Sequence, residues 1–573
     1  MAAISNTGRF ALLRQLAKDG LTEIFGNPGT SEQNLIDLFR MPEFAQFKYY
    51  LGLNEGSVVG MADAFARYRQ KPVVVQLHSY AGLANGLGMM YYAKRGYTPM
   101  VVVVGESGLR YEAMDAQMAA DLVTMAKPFV KNDHNGACAW RVADAGSVLR
   151  LLRRAIKCAY TPPWGPTLLA LPMDVLEREN NEKIVKTPLI DARVAPNPEA
   201  VSKAAELLTA AQNPIILMGD GVAVSGAISD LIALAECLGA TVYGANDSEV
   251  NMPASHPLYG GSTGHMFGES SQKLLSLADA LLIAGTTVLP EVFPLVDGVF
   301  AENAKIIQFD LNTAEIAKNF PVDVAAVGDL KLTFASLVKH INERLDDTRR
   351  RRLAERLEAR RAEKEKSRAD EIENDAQYAG RVPLHSSVFM KALAERILKD
   401  GKETLIFDEA LTHSPELLRY LPPEKPGSFF QTRVGMLGTG LPGTVGLKAA
   451  APDKRVIGFA GDGGGISTIQ ALNTAARHKL GAKFVICNNR SYRILKYNIQ
   501  DYWKNWLAQD RDQSFPKEFD LEESGLRFDL LANGHGVKSV RVETPADVEP
   551  AIDAMLANDN EPYLIDLVLS KEL

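Results

Sequence analysis

The densest chemical signal lies late in the chain. An apolar run, Arg455 to Ala460, leads into Gly461-Asp462-Gly463-Gly464-Gly465. A helical stretch follows, then a second apolar run, Lys483 to Cys487, which leads into Asn488-Asn489. Glycines let backbone amides approach a phosphate at the start of a helix, where the dipole favours an anion. Asp462, at the end of the first strand, is a carboxylate placed beside such phosphate oxygens, which is how a Mg²⁺ site is built. Asn489 supplies a neutral oxygen ligand, and the backbone carbonyl of Ser491 another. A Gly-Asp-Gly turn alone is weak evidence. Followed about 26 residues later by Asn-Asn, with a strand leading into each, it is much more specific. The plain alternative is a tight strand–helix turn and a separate Asn turn. The Lys-Ser/Thr of a P-loop is absent.

Such loops need strands to carry them. Glu23–Gly26, 72–77 and 100–105 read as strands, and 8–18, 55–68 and 83–95 as helices. Short apolar strands alternating with helices imply a parallel sheet covered on both faces. The pattern recurs twice, with strands at 215–218, 280–283 and 306–309, and at 404–407, 456–460 and 483–487. The expected fold class is therefore α/β, with three doubly wound parallel-sheet domains. The boundaries expected are 1–188, 195–345 and 383–573. Between the last two, 346–382 is a charged linker whose Arg, Lys, Asp and Glu spacings favour a solvated, ion-paired helix.

The 573 residues, 46% hydrophobic and 23% charged, supply several buried cores. Disorder is excluded on that ground. The net charge of −7 argues against a nucleic-acid partner. Apolar runs fall far short of the ~20 residues that cross a bilayer. Four scattered cysteines without a CxxC pair suggest neither zinc nor a disulfide framework and fit a cytoplasmic location.

Further segments carry a resemblance: FGNPGTSE (25–32), LNEGSVVGMADAFAR (53–67), LHSYAGLANGLG (77–88), GMLGTGLPGTVG (435–446) and AGDGGG…CNNRSY (460–492). In this order they resemble the thiamine-diphosphate enzymes of the acetolactate synthase and pyruvate decarboxylase superfamily, the benzoylformate decarboxylases above all. The resemblance implies thiamine diphosphate and Mg²⁺ as cofactors. Asp462, Asn489 and Ser491 would hold the metal. Glu55 would hydrogen-bond N1′ of the aminopyrimidine and favour the tautomer that activates the thiazolium. Leu437 would impose the bent cofactor shape, and the Gly435 carbonyl would accept from the 4′-amino group. Asn27, Pro28 and Gly29 would form a turn against the cofactor. Gly461, Gly463, Gly464, Thr412, His413 and Tyr492 complete the cofactor-binding set, although DEALTHS departs from the family pattern at 412–413.

On the substrate side the resemblance implies that His78 and Ser79 move protons and that the Thr30 hydroxyl binds a carboxylate. A second family histidine is missing; Val292 stands there, beside Glu291. Gln117, Ile494, Leu495 and Asn498 line the expected substrate pocket and make it more polar than a phenyl ring would suit. The segment 497–528 either caps the site or is a surface excursion. In the middle domain a lone Gly219-Asp220-Gly221 is weak evidence for a nucleotide, and FAD is not expected. The implied reaction is decarboxylation of a 2-oxo acid to an aldehyde through a C2 carbanion and an enamine. The alternative is carboligation or C–C cleavage, with an aldehyde or second oxo acid as partner. A noncatalytic subunit is opposed by the intact Glu55, Asp462 and Asn489. Family architecture implies a homodimer at least, and a tetramer as the full assembly, with sites between chains.

Overall fold

A computed structural model describes residues 6–245, 247–507, 514–523 and 525–572. Part of the 497–528 segment, namely 508–513 and 524, lies outside the described residues. The chain divides into two compact units: Met1–Ile190 with Gly380–Ser414 and Met436–Leu573, and Asp191–Ala379 with Pro415–Gly435. Among the described residues there are three six-stranded α/β sheets.

In the first unit, one sheet runs Lys48–Leu51, Glu23–Gly26, Val73–His78, Met100–Glu106, Pro166–Pro172, Ala139–Arg141. Every pairing in it is parallel. Met100–Glu106 explains why the sequence pattern was readable. All seven residues are buried, as in a strand covered by helices on both faces. Five strands of a second sheet in this unit run Thr404–Glu409, Arg455–Gly461, Lys483–Asn488, Tyr563–Val568, Lys538–Val542, again all parallel. Counted along the chain, both sheets follow 1-3-4-6-5 from their first strand onward. In each, the first and third strands are neighbours. Their carboxyl ends therefore flank the point where connections diverge to opposite faces, and there an open α/β sheet forms a crevice. Asn27 follows and His78 ends these strands in one sheet, and Glu409 ends and Asp462 follows them in the other.

Two helices join these sheets. Glu55–Arg69 packs along Gly440–Ala450 so closely that a Cβ on Gly446 would lie 2.0 Å from the Met61 carbonyl oxygen. One on Gly60 would lie 3.1 Å from Pro442. Thr474 Oγ1 also donates to Leu51 O at 2.8 Å.

The second unit carries the third sheet, in the order Tyr259–Ser262, Thr241–Gly244, Pro214–Met218, Ala280–Ala284, Lys305–Asp310, Val324–Val327. This is the 3-2-1-4-5-6 doubly wound order. The charged stretch forms one helix, Asp347–Asp375. It is solvated as expected, Asp375 being its only buried residue, but two of its cations also bind the neighbouring sheet. Lys364 Nζ donates to His256 O and Tyr259 O at 2.9 and 2.7 Å, and an Arg360 guanidinium nitrogen donates to Thr241 Oγ1 at 2.9 Å. Long cationic side chains reach strand-end acceptors while their stems cover apolar surface.

Candidate active site

Glu55 opens the helix Glu55–Arg69, with Asn54 as its N-cap accepting from Ser57 N at 3.0 Å. Its carboxylate is buried. Asn27 Nδ2 donates to Oε1 at 2.9 Å and Asn85 Nδ2 to Oε2 at 3.0 Å. Two carboxamides, Asn27 from the turn after strand Glu23–Gly26 and Asn85 from the helix Ser79–Arg95, thus fix the carboxylate plane, and each oxygen keeps a lone pair for a further donor. Sequence reasoning placed Asn27 in the turn but gave Asn85 no role, although it lies in the quoted LHSYAGLANGLG.

His78 ends strand Val73–His78. Its Nδ1 lies 2.9 Å from Glu32 Oε2 and 3.0 Å from Ser31 Oγ. Glu32 also accepts from Gly29 N at 2.8 Å. Burial pushes the Glu32 carboxyl up, against the pull of Gly29 N–H and His78. A Cβ on Gly29 would sit 2.3 Å from the His78 ring, so only glycine lets the turn close on the imidazole. Gly82 joins the two functional groups: its Cβ would lie 3.4 Å from Glu55 Oε1 and 3.7 Å from His78 Cβ. The 27–32 turn therefore binds both, through Asn27 on one side and Gly29, Ser31 and Glu32 on the other. Thr30 is exposed in this turn, and Pro28 is partly buried. Ser79 adopts φ +50° and its Oγ donates to Met118 O at 3.2 Å, so its hydroxyl is spent on the backbone.

In the other sheet of the unit, Asp462 begins the helix Asp462–Ser467, with Gly461 as N-cap. Gly463 N and Ser491 N donate to its two oxygens at 2.8 and 3.2 Å. Burial pushes its carboxyl up to about 6. Asn489 Oδ1 accepts from Ser491 N at 3.0 Å, and its Nδ2 lies 3.2 Å from His413 Nε2. His413 is buried, and desolvation, with Arg493 and His385 nearby, holds it neutral, down at about 3. A neutral imidazole accepting the Asn489 amide turns the Asn489 oxygen away from itself. His413 thus sits behind Asn489, and Thr412 beside it is half-buried. A Cβ on Gly463 would lie 2.4 Å from the Tyr492 ring, while one on Gly461 meets nothing within 4 Å. Open space for an anion therefore lies at Gly461, while Gly463 and Gly464 are glycines because Tyr492 and Glu409 press on them.

A buried carboxylate whose described partners are backbone N–H groups, next to a primed carboxamide oxygen and a glycine cradle, fits a divalent cation with a phosphate. Sequence reasoning missed Glu409. It is buried at the end of Thr404–Glu409 and accepts from Gly438 N, Thr439 N and Gly440 N at 2.6, 3.1 and 2.6 Å. It thereby pins the loop that carries Leu437, which is 38% exposed. Gly435 takes φ +65°.

Ile494, Leu495 and Asn498 lie on the helix Arg493–Asp501, with Leu495 exposed, and Gln117 is exposed in the loop whose Met118 holds Ser79. The described part of 514–523 is bound to the cradle, since Tyr492 N and Ser491 Oγ both donate to Phe519 O, at 2.9 and 3.0 Å. In the second unit Val292 is exposed, and Glu291 accepts from Ser271 Oγ. Asp220 is spent locally, its Oδ1 accepting from Ser248 N at 2.8 Å and Asn251 Nδ2 at 3.0 Å.

A clamped carboxylate beside an imidazole at one switch point, and at the other a carboxylate and glycine turn that fit a cation with a phosphate, are what an enzyme that binds a diphosphate cofactor needs. The chain belongs to the thiamine pyrophosphate enzyme family. The family's N-terminal TPP binding domain matches residues 6–125, its central domain 201–337, and its C-terminal TPP binding domain 412–567. The chain is 30% identical to a benzoylformate decarboxylase of Pseudomonas aeruginosa over 559 residues, 96% of this chain and 97% of that protein. It is 27% identical to a probable acetolactate synthase large subunit of Methanococcus aeolicus, covering 98% and 92%. Among solved structures it is similar to a thiamine diphosphate-dependent 4-hydroxybenzoylformate decarboxylase of Rhodococcus jostii, with TM-score 0.81, 25% identity and 99% of each chain covered. It is thus a thiamine-diphosphate-dependent enzyme.

Proposed function

We propose that the chain decarboxylates a 2-oxo acid to an aldehyde. The observation that carries this reading is the 27–32 turn, which binds the Glu55 carboxylate and the His78 imidazole into one site. When bound, thiamine diphosphate supplies a carbon nucleophile and an electron sink for the pair left by the departing carboxylate. Glu55 accepts a hydrogen bond through the lone pairs that Asn27 and Asn85 leave open. Glu32 accepts from His78 Nδ1, so that Nε2 is the ring atom that takes up and returns a proton. Thr30 offers its exposed hydroxyl to a carboxylate, and Ser79 holds the adjoining loop. Asp462, Asn489 and the Ser491 carbonyl hold Mg²⁺. Gly461, Gly463, Gly464 and Thr412 cradle the diphosphate, His413 orients Asn489, and Leu437 and Gly435 shape the cofactor. Tyr492 packs against Gly463, and Gln117, Ile494, Leu495 and Asn498 line the substrate pocket.

A second reading is carboligation or C–C cleavage. Val292, which cannot ionise, favours it, because a slower protonation gives a second carbonyl compound time to react. We further propose domain boundaries at 1–188, 195–345 and 383–573, with 346–382 as linker. We also propose a homodimer, with a tetramer as the full assembly, on the match to the thiamine pyrophosphate enzyme family. The four free cysteines support a cytoplasmic location. Among the described residues no helix is long and apolar enough to cross a membrane.

A panel of 2-oxo acids, with CO₂, aldehyde and acyloin all measured, tests the reaction. Glu55→Gln should lose more than about 100-fold in kcat while calorimetry still shows cofactor binding. Unchanged turnover in that variant would sink the assignment.

A further inference from the structure

Away from the cofactor cradle, Asp133, Cys138 and Cys158 converge, one ligand atom of each lying within 4.8 Å of the others. Cys138 is buried just after the small hairpin of Asn132–Asp133 with Gly136–Ala137. Its backbone is fixed on both sides, Cys138 N donating to Lys131 O at 2.9 Å and Leu168 N to Cys138 O at 3.0 Å. Cys158 is half-buried in the last turn of the helix Val148–Tyr160. Lys131 Nζ, buried, donates to the carbonyls of Cys158, Thr161 and Pro163 at 2.8, 2.8 and 2.7 Å. An ammonium is therefore held at the helix end that carries Cys158.

Such a cluster can bind a metal or do thiol chemistry. The fixed ammonium opposes a second cation. The same ammonium favours a thiolate. The two thiols are also inequivalent. Interaction with Cys138, aided by Lys131 and opposed by burial and Asp133, draws Cys158 down to about 7, while Cys138 is pushed up by Cys158 and by burial. Cys237, desolvated and without such a partner sulfur, is pushed up to about 12.

We propose that Cys158 and Cys138 form a reversible disulfide, with Cys158 as the peroxide-reactive thiolate and Cys138 as the resolving thiol. The Cys158 sulfur attacks one peroxide oxygen. The O–O bond breaks, the leaving oxygen takes a proton and departs as water or alcohol, and the sulfur is oxidised by two electrons to a sulfenic acid. Cys138 sulfur then attacks Cys158 sulfur. The S–O bond breaks, and the oxygen leaves as water with the Cys138 proton. A dithiol returns two electrons and two protons and restores both thiols. The bond would tie the helix end to the hairpin without touching the cofactor residues.

The test uses the reduced holoenzyme, freed of reductant, treated with equimolar hydrogen peroxide, alkylated and digested for peptide mapping. The expected result is a Cys138–Cys158 linked peptide, a fall from four to two alkylatable thiols per chain with Cys237 and Cys487 still reduced, and full reversal by dithiothreitol. Cys138→Ser should leave a sulfenic acid at Cys158 that dimedone traps, and Cys158→Ser should leave no linked peptide. Alkylation of both Cys138 and Cys158 after peroxide overturns the proposal, as does first oxidation at Cys237. Stoichiometric zinc on the wild-type holoenzyme, lost in Cys158→Ser, overturns it in favour of a metal site.

Discussion

Glu55 is held by two carboxamides, with a glycine at 82 beside it. Removing one clamp should show what the geometry does. Asn85→Ala deletes a hydrogen bond to a carboxylate, worth about 1.5–3 kcal/mol. We expect roughly a tenfold or greater loss in kcat with folding kept, measured by steady-state turnover and circular dichroism. An unchanged kcat would mean that Asn27 alone holds Glu55. Glu55, Asn27 and His78 were legible because each stands in a motif whose spacing is specific. Glu32, Asn85 and Glu409 were not. An acid in a turn or at a strand end, or an amide on a helix, reads as surface until burial is known, and only the packed structure puts Glu32 against His78 and Glu409 under three amides.

At the scale of elements, the contact between helices Glu55–Arg69 and Gly440–Ala450 depends on a missing side chain. Gly446→Ala puts a methyl group 2.0 Å from the Met61 carbonyl oxygen, which is backbone and cannot swing away. Overpacking of this kind costs about 3 kcal/mol, and a marked fall in Tm is expected. Gly534→Ala, with nothing within 4 Å of its Cβ, is the control and should leave Tm nearly unchanged. Strand Thr404–Glu409 ends in two adjacent buried acids. Burial pushes Asp408 up to about 6 and Glu409 to about 7. Both hold protons more tightly folded than unfolded. Their contribution to stability is complete below about pH 4 and is lost as pH rises through 6 to 7. Scanning Tm from pH 4 to 8, the gap between Asp408→Asn and the wild type should grow in the variant's favour up to about pH 6 and then level off. A gap independent of pH would show that Asp408 does not titrate there. Buried strands such as Met100–Glu106 were legible as apolar runs. The edge strands Lys48–Leu51 and Tyr259–Ser262 were not, because only part of each is covered and the pattern thins.

For the whole molecule, the cofactor pair is the expected source of extra stability. A ligand present at 100 times its Kd and binding only the folded state adds about 2.7 kcal/mol. Thiamine diphosphate with Mg²⁺ should raise Tm together, chelation of the metal should remove the rise, and Asp462→Ala should abolish it. A full rise in Asp462→Ala would place the cation elsewhere. The same titration followed by sedimentation tests the proposed dimer and tetramer.

By itself the sequence determined the three α/β repeats and the two chemical motifs, since strand burial writes apolar runs and backbone-dense loops demand glycine at set spacings. Tertiary structure alone decided which polar groups are taken out of water and aimed at one another. The clamp on Glu55, the Glu32–His78 pair, the buried Glu409 and the Cys138–Cys158 pair all join residues far apart in the chain. Their proximity comes from sheet order and helix packing, which no local pattern encodes.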